Sequence, residues 1–167
     1  PAGSGSWTAM SAASPPEGRS GHIAIWATHQ MFVWGGRNGA SLNTGALYDP
    51  RLNTWTTVST TGVPISLDMK AIWTGSKILV WGGSSGNGAH FDPFANTWQT
   101  ITAVNSPIGR SGQTVTWTGP LHRMMIWGGL SGADYQNSGG LYLPPLDTPI
   151  NQWVALSATG SPPARNN

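Results

Sequence analysis

The chain has no cysteine, so disulfides and thiolate metal sites are excluded, although the absence says nothing of compartment. Charge is nearly as scarce: 8% of the 167 residues are charged and the formal net charge is +2. No basic stripe exists, and nucleic acid is not an expected partner. No apolar run approaches the ~20 residues that span a bilayer as a helix. The opening "PAGSGSWTAM" lacks the basic start and apolar block of a signal peptide. No segment carries a convincing helical period. What the chain does hold is tryptophan, ten of them, with 23 glycines and 13 prolines. That much aromatic surface argues against disorder and for many short strands joined by turns.

The tryptophans are periodic. "VWGG" stands at 33–36 and 80–83 and "IWGG" at 126–129, so Gly-Gly recurs at spacings of 47 and 46. Three further series interleave in constant order. "IAIW" 23–26, "KAIW" 70–73 and "TVTW" 114–117 form one. "LYDP" 47–50, "HFDP" 90–93 and "LYLP" 141–144 form the next. Asn53-Thr54-Trp55, Asn96-Thr97-Trp98 and Asn151-Gln152-Trp153 form the last, with Trp7 one step earlier. A unit of this length is the mark of a propeller or solenoid. β-Branched and aromatic residues separated by Gly, Pro and Asn predict four strands per unit: A near 22–26, 69–73 and 113–117; B near 31–34, 78–81 and 124–127; C near 45–48, 88–91 and 139–142; D near 54–58, 97–101 and 152–156. All ten tryptophans fall on repeat positions, so they are expected in the core and between units. Asp49 and Asp92, each before Pro, read as turn-formers, and Gly-Gly as a tight exit from strand B.

"GHIAIW…MFVWGG…LYDPRLNTW" resembles the kelch repeat of the bacterial type. "MKAIWTGSKILVWGG…HFDPFANTW" is nearly as complete, and "LYLPPLDTPINQW" departs by Leu143 and by four inserted residues. The resemblance covers essentially the whole chain. It implies an all-β fold: a kelch-type β-propeller segment of three four-stranded antiparallel blades plus one extra outer strand. The expected boundaries are residues 5–12 for the extra strand, 19–60, 66–104 and 110–158 for the blades. Propellers close with 4–8 blades. The remaining blades are therefore expected from a longer chain of the same protein or from another copy.

Strand regularity directs attention to the loops, where binding residues sit over a rigid scaffold. The B–C loops differ most: "RNGASLNT" 37–44, "SSGN" 84–87 and "LSGADYQNSG" 130–139. Arg37, Asn38, Asn43, Asp134, Tyr135 and Gln136 are the loop candidates. Arg19 and Arg110 recur at one phase, with Arg165 repeating it and Ser66 in their place in unit two; they read as carbonyl-bonding residues that could also ring a channel mouth. His22, His29, His90 and His122 have no metal-ligand spacing, and His90 reads as a strand residue with a local partner. No carboxylate pair is spaced for general acid–base work. A non-catalytic binding or scaffold propeller that recognises protein or glycan, with no cofactor, fits these features. An enzyme segment is the alternative. Resemblance to the galactose oxidase family implies a Cys–Tyr copper site that a chain without cysteine does not carry; resemblance to kelch-form sialic-acid epimerases implies polar residues converging on the channel mouth. A structural subunit of an extracellular assembly is the third reading. The low-charge, Ser/Thr/Gly/Asn-rich composition suits a secreted or cell-surface setting.

Overall fold

A computed structural model describes residues 5–63, 67–145 and 150–164. Its strands, in chain order, are β1 (Ile23–Ala27), β2 (Gln30–Trp34), β3 (Arg37–Asn38), β4 (Ala40–Ser41), β5 (Gly45–Asp49), β6 (Thr54–Thr57), β7 (Met69–Trp73), β8 (Ile78–Gly82), β9 (Asn87–Asp92), β10 (Thr97–Thr100), β11 (Thr114–Trp117), β12 (Met124–Trp127), β13 (Leu130–Ser131), β14 (Asp134–Tyr135), β15 (Gly139–Leu143) and β16 (Gln152–Ala155). Three sheets of four antiparallel strands result: β1-β2-β5-β6, β7-β8-β9-β10 and β11-β12-β15-β16. Each is one sequence unit with A, B, C and D in order, so the chain is an all-β propeller segment of three blades. Two small hairpins, β3-β4 and β13-β14, stand on the B–C loops of blades 1 and 3. The innermost strands β1, β7 and β11 are neighbours, with β7 in the middle.

The Gly-Gly pairs end strand B as expected. All six glycines have positive φ, from 66° at Gly128 to 128° at Gly82. A Cβ at Gly36 would lie 2.6 Å from the Ser20 carbonyl oxygen and one at Gly129 2.6 Å from that of Ser111, so only glycine fits there. The turn aspartates also behave as expected. Asp49 accepts from the Arg51 amide at 2.9 Å, and Asp92 from those of Phe94 and Ala95.

The core lies between blades. Phe32, Trp34, Leu47 and Val58 of blade 1 cluster with Ile78, Val80, Ala89 and Phe91 of blade 2. Leu79, Trp81 and Ile101 of blade 2 cluster with Met124, Ile126, Tyr142 and Trp153 of blade 3. The strand-B tryptophan of one blade meets the strand-D tryptophan of the next, Trp34 with Trp98 at 4.8 Å and Trp81 with Trp153 at 5.6 Å between ring centroids. Each such buried indole contributes a few kcal/mol. Two tryptophans depart from the expected burial. Trp26 is 56% exposed because it stands on the face of blade 1 that no other described blade covers, whereas Trp73 and Trp117 at its phase pack into the two clusters. Trp7 is fully exposed, and residues 5–12 form no strand, since no described sheet offers them an edge.

Residues 5–12 nonetheless keep the phase of a strand D, because their last turn is held as those of the other units are. In each blade an asparagine at the C–D turn and the tryptophan two residues later grip one residue of the preceding unit. Asn53 Oδ1 accepts from the Ser11 amide (2.7 Å) while Trp55 Nε1 donates to the Ser11 carbonyl (3.1 Å). Asn96 and Trp98 hold Ser59 in the same way at 2.8 and 2.7 Å, and Asn151 and Trp153 hold Thr102 at 3.1 and 2.9 Å. The gripped residue always lies four positions after a repeat tryptophan. The longer third C–D turn falls partly on residues 146–149, outside the described residues, and Asn151 at its end performs the same part. Asn96 also donates to Thr57 O (3.1 Å) and sits at φ 53°. Asn96→Gly should therefore cost about 1 kcal/mol through the lost bonds, and Asn96→Ala about 1 kcal/mol more through the left-handed backbone; urea midpoints of the two variants read the difference.

Candidate functional site

The recurring arginines are built into the blades. Arg110, 2% exposed, donates from Nε to Ile108 O, from Nη1 to Gly128 O and Ser138 O, and from Nη2 to Ser138 Oγ. Arg19 repeats the set on Glu17 O, Gly35 O, Thr44 O and Thr44 Oγ1. Each guanidinium ties the exit of strand B to the entry of strand C, closing the base of the long B–C loop. Burial lowers both arginines' pKa values. Their donors are committed to the protein, so these two residues position the loops and do not ring a channel mouth with free guanidinium groups. Ser66 and Arg165 lie outside the described residues.

The loop candidates separate into two groups. Arg37 and Asn38 form β3, exposed, and Asn43 lies half-buried beyond β4. Asp134 and Tyr135 form β14, exposed; Gln136 packs back, its amide donating to Gly129 O and its side chain to Asp134 O. They thus belong to two projecting hairpins on blades 1 and 3, separated by blade 2, whose B–C loop is a tight turn closed by a hydrogen bond from Gly86 N to Gly83 O.

A concavity lies elsewhere at the same end. A cavity of about 540 Å³ opens where the inner strands begin, lined by Gly21–Ile25 of blade 1, Asp68–Ala71 of blade 2, and Ser111 and Gly112 of blade 3. His22, Asp68, Lys70 and Ser111 supply polar groups and Ile23, Ile25 and Ala71 an apolar floor. A smaller cavity of about 270 Å³ between blades 2 and 3 shares Asp68 and Ser111 and reaches Ser84, Arg110 and Ser131. Asp68 therefore joins both. It has φ 61°, at the phase where Gly21 (φ 62°) and Gly112 (φ 63°) stand in the other blades. Among the described residues its carboxylate takes part in no hydrogen bond or ion pair. A backbone that glycine adopts freely is here occupied by a residue with an unspent anion, and strain of this kind gathers at functional positions. An alignment of the repeat on its strands hides Asp68; aligning the residue before strand A, Gly-His, Asp-Met and Gly-Gln, exposes the exception.

His90 is not at this site. It is 5% exposed and its Nε2 lies 2.6 Å from the Tyr142 hydroxyl, which also reaches Asn151 Oδ1 at 2.8 Å. The local partner expected for it is thus supplied by the next blade. Burial, and then the charge of Lys77, lowers the His90 pKa to about 4, and burial raises that of Tyr142 well above the ordinary phenol value. Lys77 itself pairs with Asp92. Among the described residues no group of three or more His, Asp or Glu is placed to hold a metal ion, and no helix is long and apolar enough to cross a membrane.

No family model matches the chain, and no curated protein matches it.

Proposed function

We propose that the chain is a segment of a kelch-type propeller that binds a polar, hydroxyl-rich ligand such as a glycan at the end of the axis where the inner strands begin, in a secreted or cell-surface setting. The observation that carries this reading is the cavity of about 540 Å³ to which three blades contribute, with the uncommitted Asp68 carboxylate at its edge. A carboxylate, an ammonium, an imidazole and a hydroxyl over an apolar floor match the alternating hydroxyl and C–H faces of a sugar. The β3-β4 and β13-β14 hairpins, with Arg37, Asn38, Asn43, Asp134, Tyr135 and Gln136, flank that end and extend the contact surface to larger glycans or to a glycosylated protein.

Asp68→Gly separates binding from folding. It should stabilise the protein by about 1 kcal/mol, by removing a left-handed non-glycine backbone, and weaken binding at least tenfold by removing the anion. Thermal unfolding and a glycan array, followed by titration of the best hit, read the two effects. A hit bound equally well by Asp68→Gly and Lys70→Ala sinks the assignment of the site, and an array without hits sinks the glycan.

A second reading, a kelch-form epimerase segment, is favoured by one observation: His22, Asp68 and Lys70 line the same cavity. Turnover of N-acylated amino sugars that falls with His22→Ala would select it over simple binding.

A further inference from the structure

We infer that the uncovered face of blade 3 is a docking surface for a further four-stranded blade, one that carries asparagine at its C–D turn and tryptophan two residues later. Such docking is independent of any ligand at the channel mouth. Every described joint is made from the same parts, and blade 3 holds one complete half of them. Ser157 lies four residues after Trp153, at the phase of Ser11, Ser59 and Thr102. Its hydroxyl accepts from the amide two residues on, that of Thr159, at 3.2 Å. Ser11, Ser59 and Thr102 do the same at 3.1, 3.3 and 3.2 Å. That local turn presents the amide and carbonyl that Asn53 and Trp55, Asn96 and Trp98, or Asn151 and Trp153 grip at the other three positions. At Ser157 the turn is formed and, among the described residues, the grip is absent.

The apolar half of the joint is also in place. Trp127 stands where Trp34 and Trp81 stand, and those two meet Trp98 and Trp153 of the following blade. Leu156 stands where Val58 and Ile101 stand, and its amide makes the same bond, to Gly139 O, that theirs make to Gly45 O and Gly88 O. Val58 and Ile101 are 1% and 8% exposed, whereas Leu156 and Trp127 are only half-buried. The strand-C position narrows the occupant further. Blade 2 has His90 there and needs the Tyr142 hydroxyl opposite; blade 1 has Leu47, which clusters with Phe91. Blade 3 has Leu141, so the incoming strand C is expected to resemble that of blade 2, with an aromatic residue offering no hydroxyl across the joint. A second copy of this chain is a poorer occupant. The uncovered face it would bring is that of blade 1, where Asn53 and Trp55 already hold Ser11.

The test inserts a second copy of residues 60–102 between Ser157 and Ala158, which places a blade-2 unit after Ser157 as it already follows Ser59. Amide exchange at Ser157 should slow at least about 100-fold, toward the rate at Ser59, and acrylamide quenching of Trp127 should fall. Asn96→Ala in the added copy alone should restore fast exchange at Ser157 while the copy's own strands stay protected. A parallel insertion of residues 103–157 should dock less well, because its tyrosine would face Leu141. An added unit with protected strands beside an unprotected Ser157 overturns the inference, as does failure of both insertions to gain protected strands. Protection of Ser157 in the unextended chain, appearing with a doubled mass as concentration rises, overturns it in favour of self-association.

Discussion

Acidification from pH 7.5 to 4 is expected to cost the protein about 3 kcal/mol of stability through a single side chain, His90. The sign depends on which state binds protons. An unfolded histidine titrates at its ordinary 6.5, and the folded one at about 4. Between those values the unfolded chain takes up a proton that the native state refuses, so stability is complete above pH 6.5 and drains away as pH falls to 4. The cause is geometric. The Tyr142 hydroxyl has one proton, and donating it to Asn151 Oδ1 leaves the phenol oxygen to accept from His90 Nε2–H. A second proton, on Nδ1, would be a charge in a dry joint near the Lys77 ammonium. His90→Leu, matching Leu47 and Leu141, should fold and flatten this part of the profile. Urea midpoints at pH 7.5, 6, 5 and 4.5 test it; parallel lines for the two proteins would refute it. Below pH 4 both should weaken again. The Arg51 hydrogen bond holds Asp49 down at about 2. Asp92 is raised by its burial but lowered on balance by Lys77 and the amides of Ala95 and Phe94. Stability that depends on ionised carboxylates is present above their ordinary pKa and is lost as pH falls through the depressed one.

Arg110→Met should cost about 3 kcal/mol, because hydrogen bonds to a charged group are worth about 1.5–3 kcal/mol and the Gly128 carbonyl would be left unpaired in a buried place, whereas that of Ser138 keeps the Gly128 amide. Arg110→Lys should recover little, since an ammonium cannot reach Ile108, Gly128 and Ser138 together as the planar fork does. The equivalent Arg19→Met should cost less, its bonds being nearer to solvent. Denaturant unfolding of the three variants, with exchange at Ser111 and Leu130 amides to report the base of the β13-β14 loop, measures this. Equal losses at Arg19 and Arg110 would show that burial does not set the effect.

The four strands of each blade were legible in the sequence to within a residue or two, because one face of each must be apolar and the turns between them need Gly, Asp or Asn, whereas the strand expected at 5–12 does not form and the β3-β4 and β13-β14 hairpins were not foreseen. The roles of Asp49 and Asp92 were legible for the same reason: an Asp-Pro turn is a local structure. The arginines were half legible, their carbonyl partners expected but not their burial. What stayed hidden depends on the neighbouring blade. Nothing around His90 announces Tyr142, 52 positions on, and Trp26 differs from Trp73 and Trp117 only in having no described blade beside it. Asp68 was hidden differently. Its signal, an acidic residue at a phase held elsewhere by glycine, lies in backbone conformation, which apolar periodicity does not report.

The serine and threonine grips have an evolutionary corollary. Because Ser59 and Thr102 are held alike, cutting out residues 60–102 would bring Ser59 to the asparagine and tryptophan that now receive Thr102, the altered contact at strand C being Tyr142 against Leu47 in place of His90. Such sites are natural exchange points for recombination between duplicated gene segments. A lineage of this design is free to gain or lose cassettes whole, while a deletion of any other length strands an indole without its carbonyl.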